Sequence, residues 1–310
     1  MSVNRKSLIG SDPEVFCVNS LGECIPPVIL RKLGMPFTTK HLNKNLTTSS
    51  IESDREKHPV FAETSSYKII EDGAAFEINT KPTKDTLEYY SMISNAIGHL
   101  ENLVRKFGYS ITIKPAVIFN PEILYIDGVL DSYANYCVRF GCDPDLDIYS
   151  GLYSKEVDAS NINKRFGGGH IHISNIDTDR YFEIGRLMDI ILGNAFISSL
   201  ETEEEVYLEK DRHEFYGLPG KLRIQTYSKK DNIKGIEYRT PSNLWIKDLG
   251  KIGKMFTATS LLLKVIDNLE KFSGPLIETY LESSIKNILE VRVDDSASIM
   301  RKVYDTVTYG

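Results

Sequence analysis

Four strand-like segments, far apart in the chain, each place a charged or hydrogen-bonding pair at positions i and i+2: Asp12/Glu14, Glu77/Asn79, His170/His172 and Glu237/Arg239. Successive side chains of a strand leave opposite faces, so each pair leaves one face together. Strands in a sheet lie about 4.8 Å apart, so four such segments paired in one antiparallel sheet would bring carboxylates and imidazoles into a single cluster. Any one pair alone fits an ordinary solvated face equally well. The set does not, because a wet face favours Lys and Thr, whereas these positions hold acids, histidines, one Asn and one Arg. Gathered acids repel one another unless cations fill the space between them. Carboxylate-dominated sites with a single His suit Mg2+ or Mn2+, which complete their shells with water and phosphates.

The most distinctive of the four is Arg165-Phe166-Gly167-Gly168-Gly169-His170-Ile171-His172-Ile173-Ser174. His170, His172 and Ser174 alternate with apolar Ile171 and Ile173, which predicts a strand with one chemical face and one core face. The glycines ahead of it would let a polyanionic ligand approach the backbone. Read alone, the pair serves a metal, a phosphate or merely a solvated face.

Composition narrows the field. With 310 residues and 41% hydrophobic content the chain can bury a large core. Its net charge of −6 comes from acids and bases mixed along the chain, without the basic stripe that a nucleic-acid backbone requires. Cys17, Cys24, Cys137 and Cys142 form no CxxC pair and match no usual zinc spacing, so they read as free thiols. The N-terminus lacks an apolar signal region. The most apolar helix, around 186–200, is interrupted by Asp189 and Asn194, so no membrane span is expected and the chain reads as cytoplasmic.

In chain order, residues 10–18 read as a strand turned at Asn19 to Gly22 into a hairpin ending near Pro26-Pro27. Residues 31–62 are rich in Lys, Asn, Thr, Ser and Glu and read as a mobile insertion, a natural lid. A second hairpin spans 67–80 with Phe76 and Ile78 inward and Glu77 and Asn79 outward. An amphipathic helix follows from Pro82 to about Phe107, with Leu87, Tyr90, Ile93, Ile97, Leu100 and Val104 on its apolar side and Gly108 as its stop.

Residues 109–119 predict a strand weakened at Pro115, and 131–140 a helix. The Asp143-Pro144-Asp145-Leu146-Asp147 run echoes the Gly10 to Glu14 segment. It is no EF-hand, because Ile148 and Ser154 stand where the calcium loop needs Gly and Glu. A helix capped at Asp177 or Thr178 runs to about Leu200, and Glu201 to Glu205 reads as solvated helix surface. Two strands, 222–226 and 235–241, turn Arg223, Gln225, Glu237 and Arg239 outward. Helices over 247–271, 275–290 and 297–307 finish the chain, with no compositional break between domains. The whole therefore reads as one catalytic domain over 1–310 with a helical C-terminal part from about 247.

At these residues the chain resembles a known family. Gly169-His170-Ile171-His172-Ile173-Ser174 is similar to the Gly-x-His-x-His-x-Ser strand of the glutamine synthetase superfamily. Asp12-Pro13-Glu14 is similar to its Glu-x-Glu strand, and Glu237-Tyr238-Arg239 to its Glu-x-Arg strand. Together with Gly-Ser-Asp-Pro-Glu, Gly-Cys-Asp-Pro-Asp, Tyr-Gly-x-Pro-Gly-x-x-Arg and Glu-Tyr-Arg-Thr-Pro-Ser-Asn-x-Trp, the ordered set over residues 10–245 resembles phage-encoded COOH-NH2 ligases of the phiEco32 type.

The resemblance implies an α+β fold with a curved antiparallel sheet and helices packed on its outer face. It implies an ATP-dependent carboxylate-amine ligase that forms an amide through an acyl phosphate, acting on small-molecule or peptide acids and amines in the host cytoplasm. By the same resemblance Asp12, Glu14, Glu77, His170 and Glu237 would hold Mg2+ or Mn2+, and His172, Ser174 and Arg239 would contact the nucleotide. Arg239, Arg223 and Arg212 would face the migrating phosphoryl group or the substrate carboxylate. Asp12 stands where the superfamily has Glu, one methylene shorter in reach.

Two other classes compete. A barrel amidohydrolase built on the His170/His172 pair needs further ligands on later strand ends, but His41, His58, His99 and His213 fall in predicted loops or helices. A catalytically inactive relative could use the same site to bind a nucleotide or a protein.

Overall fold

Pro13 divides the first polar segment between two sheets. It has no N–H to give to a ladder, and it stands between the strands Leu8–Ser11 and Glu14–Val18, although the amides on either side of it still donate to the same 168–170 segment. The Asp12 amide donates to the His170 carbonyl, the Glu14 amide donates to Gly168, and the Pro13 carbonyl accepts from Ile78. The expectation of one continuous sheet is therefore corrected to two sheets that meet at Asp12-Pro13.

The computed structural model describes residues 7–38, 59–124, 145–154, 163–176, 178–228 and 233–310. Its strands in chain order are β1 (Leu8–Ser11), β2 (Glu14–Val18), β3 (Val60–Glu63), β4 (Tyr67–Asp72), β5 (Ala75–Thr80), β6 (Ser110–Thr112), β7 (Ala116–Ile118), β8 (Leu146–Asp147), β9 (Leu152–Tyr153), β10 (Lys164–Phe166), β11 (Ile171–Ser174), β12 (Lys221–Ser228) and β13 (Ile233–Tyr238). One sheet runs β1-β11-β13-β12-β8-β9, another runs β3-β4-β5-β2-β6, and β10 pairs with β7. Among the described residues every strand pairing is antiparallel. The helices are α1 (Pro27–Lys32), α2 (Thr86–Arg105), α3 (Tyr181–Met188), α4 (Asn194–Ile197), α5 (Glu203–His213), α6 (Leu249–Ile266), α7 (Leu269–Glu290) and α8 (Val293–Tyr309). The fold is thus a mixed one of antiparallel sheets and several helices, and none of the described helices is long and apolar enough to cross a membrane.

Alternation sorts the six-stranded sheet as the sequence predicts. Ile9, Ile171, Ile173, Leu222, Ile236 and Tyr238 are buried on one face, while His172, Arg223 and Glu237 lie on the other. The apolar face packs on the run from α3 to α4. Leu222 comes close enough to Gly185, and Ile288 and Tyr238 to Gly193, that a Cβ at either glycine would collide. That run was expected as one α-helix, but it carries a π turn at Asp189–Gly193. The buried Asp189 carboxylate there accepts from Tyr149 at 2.6 Å and from Tyr238 at 2.7 Å, and the Asn194 amide donates back to the Asp189 and Ile190 carbonyls. Side chains that take up helix carbonyls in this way accommodate the extra residue of a π turn.

The second hairpin forms as expected, with Phe76 and Ile78 buried. Other elements shift. The first hairpin shrinks to a single bridge, Val18 to Cys24, and the 109–119 strand splits at Pro115 into β6 and β7 in different sheets. α2 begins at Thr86 behind the Asp85 cap, and its buried side is Tyr89, Met92, Ile93, Ala96, Leu100 and Val104, with Leu87 exposed. Glu205 is not solvated surface: it is buried against Lys251 at 3.2 Å and Lys247 at 2.6 Å. Pro275 lies within α7 instead of opening it.

The segment 31–62 is ordered at both ends, by α1 and by β3, and Thr38 bridges to Val60. Its residues 39–58, with His41 and His58, lie outside the described residues, as do the helix expected at 131–140, Cys137 and Cys142.

Candidate active site

The polar face of the six-stranded sheet and the start of β2 enclose one cluster. Register sets its members side by side: Gly10 opposite His172, His172 opposite Glu237, and Glu237 opposite Arg223. Asp12, just past β1, sits between the two imidazoles. Its Oδ1 lies 3.3 Å from His170 Nδ1 and 3.0 Å from His172 Nε2. His170 Nδ1 is also 3.4 Å from Glu237 Oε1.

Glu237 is buried and receives Arg239 Nη1 at 2.7 Å on Oε1, and Gln225 Nε2 at 2.6 Å and Arg223 Nη1 at 3.4 Å on Oε2. Arg239 in turn pairs through Nε with Asp145 at 2.6 Å and donates to the Tyr216 hydroxyl.

The glycines before His170 are used by the protein itself. A Cβ on Gly169 would fall 2.2 Å from the Ser242 carbonyl oxygen, and one on Gly167 would fall 2.4 Å from Asn243 Nδ2. The close backbone approach expected for an anion is thus made to the 242–245 segment, where Trp245 Nε1 donates to the Gly169 carbonyl at 2.9 Å. This packing fixes the entry of β11 and with it His170.

A second group adjoins the first. Glu14 lies opposite Glu77 in the β2–β5 pairing, and Asp72 completes a set whose carboxylate oxygens all lie within 4.8 Å of one another. Asp72 is not among the site residues singled out in the sequence. Its signal was in the hairpin register: it pairs with Ala75, two positions from Glu77, and so shares that residue's face. Glu14 Oε2 accepts the Gly168 amide at 2.8 Å, which joins the two groups, and Asn79 donates to Glu77 at 2.6 Å.

The two groups differ electrostatically. Burial pushes the Asp12 carboxyl up, but the charges of His172 and His170 outweigh it and hold the group well below the usual range. Glu237 is likewise raised by burial, and the charges of Arg239, His170 and His172 together bring it below its ordinary value. His172 is lowered by burial and raised further by Asp12, for a net rise. The second group gathers three acids within 4.8 Å of one another. Burial, then the charge of Asp72, pushes Glu14 up to about 7, and burial with Asp12 and Asp72 holds Glu77 well above its ordinary value.

Both groups fit divalent cations. Asp12 Oδ1 and His172 Nε2 are buried, stand 3.0 Å apart, and have no aligned hydrogen-bond partner among the described residues. With Glu237 their ligand atoms lie within 4.8 Å of one another. Buried polar atoms without an aligned hydrogen bond are costly, and two of them converging beside the Glu237 carboxylate are what a cation would satisfy.

Of the residues singled out in the sequence, Asp12, His170, His172, Glu237, Arg239 and Arg223 converge on the first group, and Glu14 and Glu77 on the second. Ser174 lies one pleat beyond His172, paired with Leu8 and Gly235. Arg212 is fully buried away from the carboxylates: it binds Glu209 at 2.8 Å and the carbonyls of Thr240, Arg239 and Pro241. Tyr216 and Asp145, quoted only as parts of motifs, and Tyr227, not singled out at all, join the site without having been assigned a role. Their roles come from long-range contacts that no local pattern shows.

No protein-family model matches this sequence, and no curated protein does. Solved structures similar to it include one described as a novel glutamine synthase homolog, at a TM-score of 0.39 and 10% identity over 97% of this chain and 67% of that one. Another is described as apo GmaS without ligand, at a TM-score of 0.38 and 10% identity over 98% of this chain and 70% of that one.

Proposed function

We propose that this chain is an ATP-dependent carboxylate-amine ligase with a glutamine synthetase-like sheet, working at a two-part divalent-metal cluster. The observation that carries the reading is the convergence of buried Asp12 Oδ1 and His172 Nε2, neither with an aligned hydrogen bond among the described residues, with Glu237, beside the gathered acids Glu14, Asp72 and Glu77. Asp12, Glu237 and the two histidines would hold one Mg2+ or Mn2+, and Glu14, Asp72 and Glu77 a second. When bound, such ions neutralise phosphate oxygens.

The rest of the site suits phosphoryl transfer to a carboxylate. Arg223, a quarter exposed at its side chain and anchored on Glu237, is the cation placed to meet a solvent-borne phosphate or carboxylate. Arg239 is fully buried and committed to Glu237, Asp145 and Tyr216, so it orients the carboxylate ligand. In the proposed reaction a substrate carboxylate oxygen attacks the γ-phosphorus of ATP and ADP leaves. An amine then attacks the acyl carbon and phosphate leaves, giving the amide. Positive charge near the transferring group lowers the barrier of the first step.

Titration calorimetry with Mg2+ and ATP, followed by phosphate release across panels of acids and amines, tests the proposal. Arg223→Ala is expected to lower release at least a hundredfold with the fold intact. Absence of nucleotide binding by the wild-type chain would refute the ligase reading. Binding without turnover on any acid-amine pair would favour the inactive relative.

A further inference from the structure

Each histidine of the cluster is held from behind by a tyrosine, through opposite ring nitrogens. His170 turns Nδ1 toward Asp12 and Glu237, and its Nε2 lies 3.1 Å from the Tyr216 hydroxyl. His172 turns Nε2 toward Asp12, and its Nδ1 lies 2.8 Å from the Tyr227 hydroxyl. A histidine that ligates a metal keeps its other nitrogen protonated, and the partner of that N–H fixes both tautomer and ring orientation.

Both tyrosines are deliberately placed. Tyr227 falls at the irregularity of β12, where the register shifts between Thr226, opposite Lys234, and Ser228, opposite Ile233. The extra residue of such a bulge is left out of the ladder and its side chain is re-aimed. Tyr216 is clamped by two buried guanidinium groups, Arg212 at 5.0 Å and Arg239 at 5.4 Å from its ring centre. Gly217 follows in the left-handed region at φ +80°, and a Cβ there would lie 1.9 Å from Arg212 Nη1, so the turn that presents Tyr216 is moulded on Arg212. This gives Arg212 a place in the site at one remove.

We propose that Tyr216 and Tyr227 are positioning residues that accept the outward N–H of His170 and His172, so that Nδ1 of one and Nε2 of the other face the same cation. The inference rests on the metal-binding reading above. It also separates the two tyrosines. The Tyr216 hydroxyl additionally accepts from Arg239, which holds Glu237, so its loss disturbs two ligands; loss of the Tyr227 hydroxyl disturbs one.

The test is calorimetric titration of the full chain with Mn2+ alone, for wild type, Tyr216→Phe and Tyr227→Phe, beside thermal melts in chelator. Removing such outer partners typically weakens metal binding roughly 10–100-fold. That loss is expected in both variants, larger for Tyr216→Phe, with melts in chelator unchanged for Tyr227→Phe. Wild-type binding with undiminished affinity in both variants would overturn the positioning role and leave the metal site standing. No Mn2+ binding by wild type would overturn both.

Nitrogen-15 NMR of the histidines in wild-type protein saturated with Mg2+, which is diamagnetic, reads the tautomers directly and does not depend on any variant folding. His170 is expected with Nε2 protonated and His172 with Nδ1 protonated. The same tautomer on both rings would overturn the inference.

Discussion

Neutralising one acid in each half of the cluster is expected to change the stability of the metal-free protein in opposite directions. Glu14 carries its cost in burial and in the nearby Asp72 charge, which together push its carboxyl from 4.5 up to about 7. Between those values the folded state keeps a proton that the unfolded chain has released. The group's contribution is complete below about pH 4.5 and is lost as pH rises through about 7. At 1.36 kcal/mol per unit, the charged form costs roughly 3 kcal/mol above pH 7. Glu14→Gln removes that charge while its amide oxygen can still accept the Gly168 N–H, so it should stabilise the metal-free chain by up to roughly 3 kcal/mol.

Glu237→Gln does the reverse. It takes a buried carboxylate away from Arg239, Arg223 and the donor amide of Gln225, and presents an NH2 to one of them. Breaking a buried pair costs about 3–5 kcal/mol, and because Asp145 stays with Arg239 the lower end, about 3 kcal/mol, applies. For 310 residues the unfolding entropy is about 0.65 kcal/mol/K, so each change is worth about 4–5 °C. Calorimetric melts in chelator at about pH 8 should show Glu14→Gln melting higher than wild type and Glu237→Gln lower. Added Mn2+ should raise wild type most. Shifts of the same sign in chelator, or a lower melting point for Glu14→Gln, would refute the electrostatic division of the site.

Three further substitutions probe the frame behind the cluster. Gly169→Ala drives a methyl into the Ser242 carbonyl and Trp245 Nε1, and should cost roughly 1–3 kcal/mol in urea unfolding together with a loss of Mn2+ affinity as His170 is displaced. Glu209→Ala strips the fully buried Arg212 of its carboxylate, an expected loss of about 3–5 kcal/mol by thermal melt; a loss under about 1 kcal/mol would mean that the backbone carbonyls alone hold Arg212. Asp189, pushed from 3.8 up to about 6 by burial, contributes stability below about pH 4 that is lost as pH rises through about 6. Asp189→Asn keeps an acceptor for a tyrosine hydroxyl and should flatten that stretch of the stability profile by up to roughly 3 kcal/mol, whereas an unchanged slope would show that burial is not its cause.

Which residues could do chemistry was legible because it is written locally. Side chains alternate by covalent geometry, so His170/His172 and Arg223/Gln225 could be assigned to one face before any partner was known. The second hairpin was equally local: a short turn fixes register, and Phe76, Glu77, Ile78 and Asn79 fell on their expected sides. Helix faces were read less well. On α2, Leu87 lies two residues from Tyr89, more than half a turn around the helix, and so faces away from the buried stripe, because packing direction depends on what the helix lies against.

The strand periodicity of the sequence, then, determined by itself which pairs of acids, imidazoles and guanidinium groups leave a strand together. Only the tertiary structure decided their company. Pro13 sends Asp12 and Glu14 to different sheets, Asp72 enters through hairpin register, and Tyr216, Tyr227 and Asp145 arrive from elements distant in the chain. The reason is physical: a dihedral preference acts over neighbouring residues, whereas a buried hydrogen bond or ion pair between distant ones exists only once the core has closed around it.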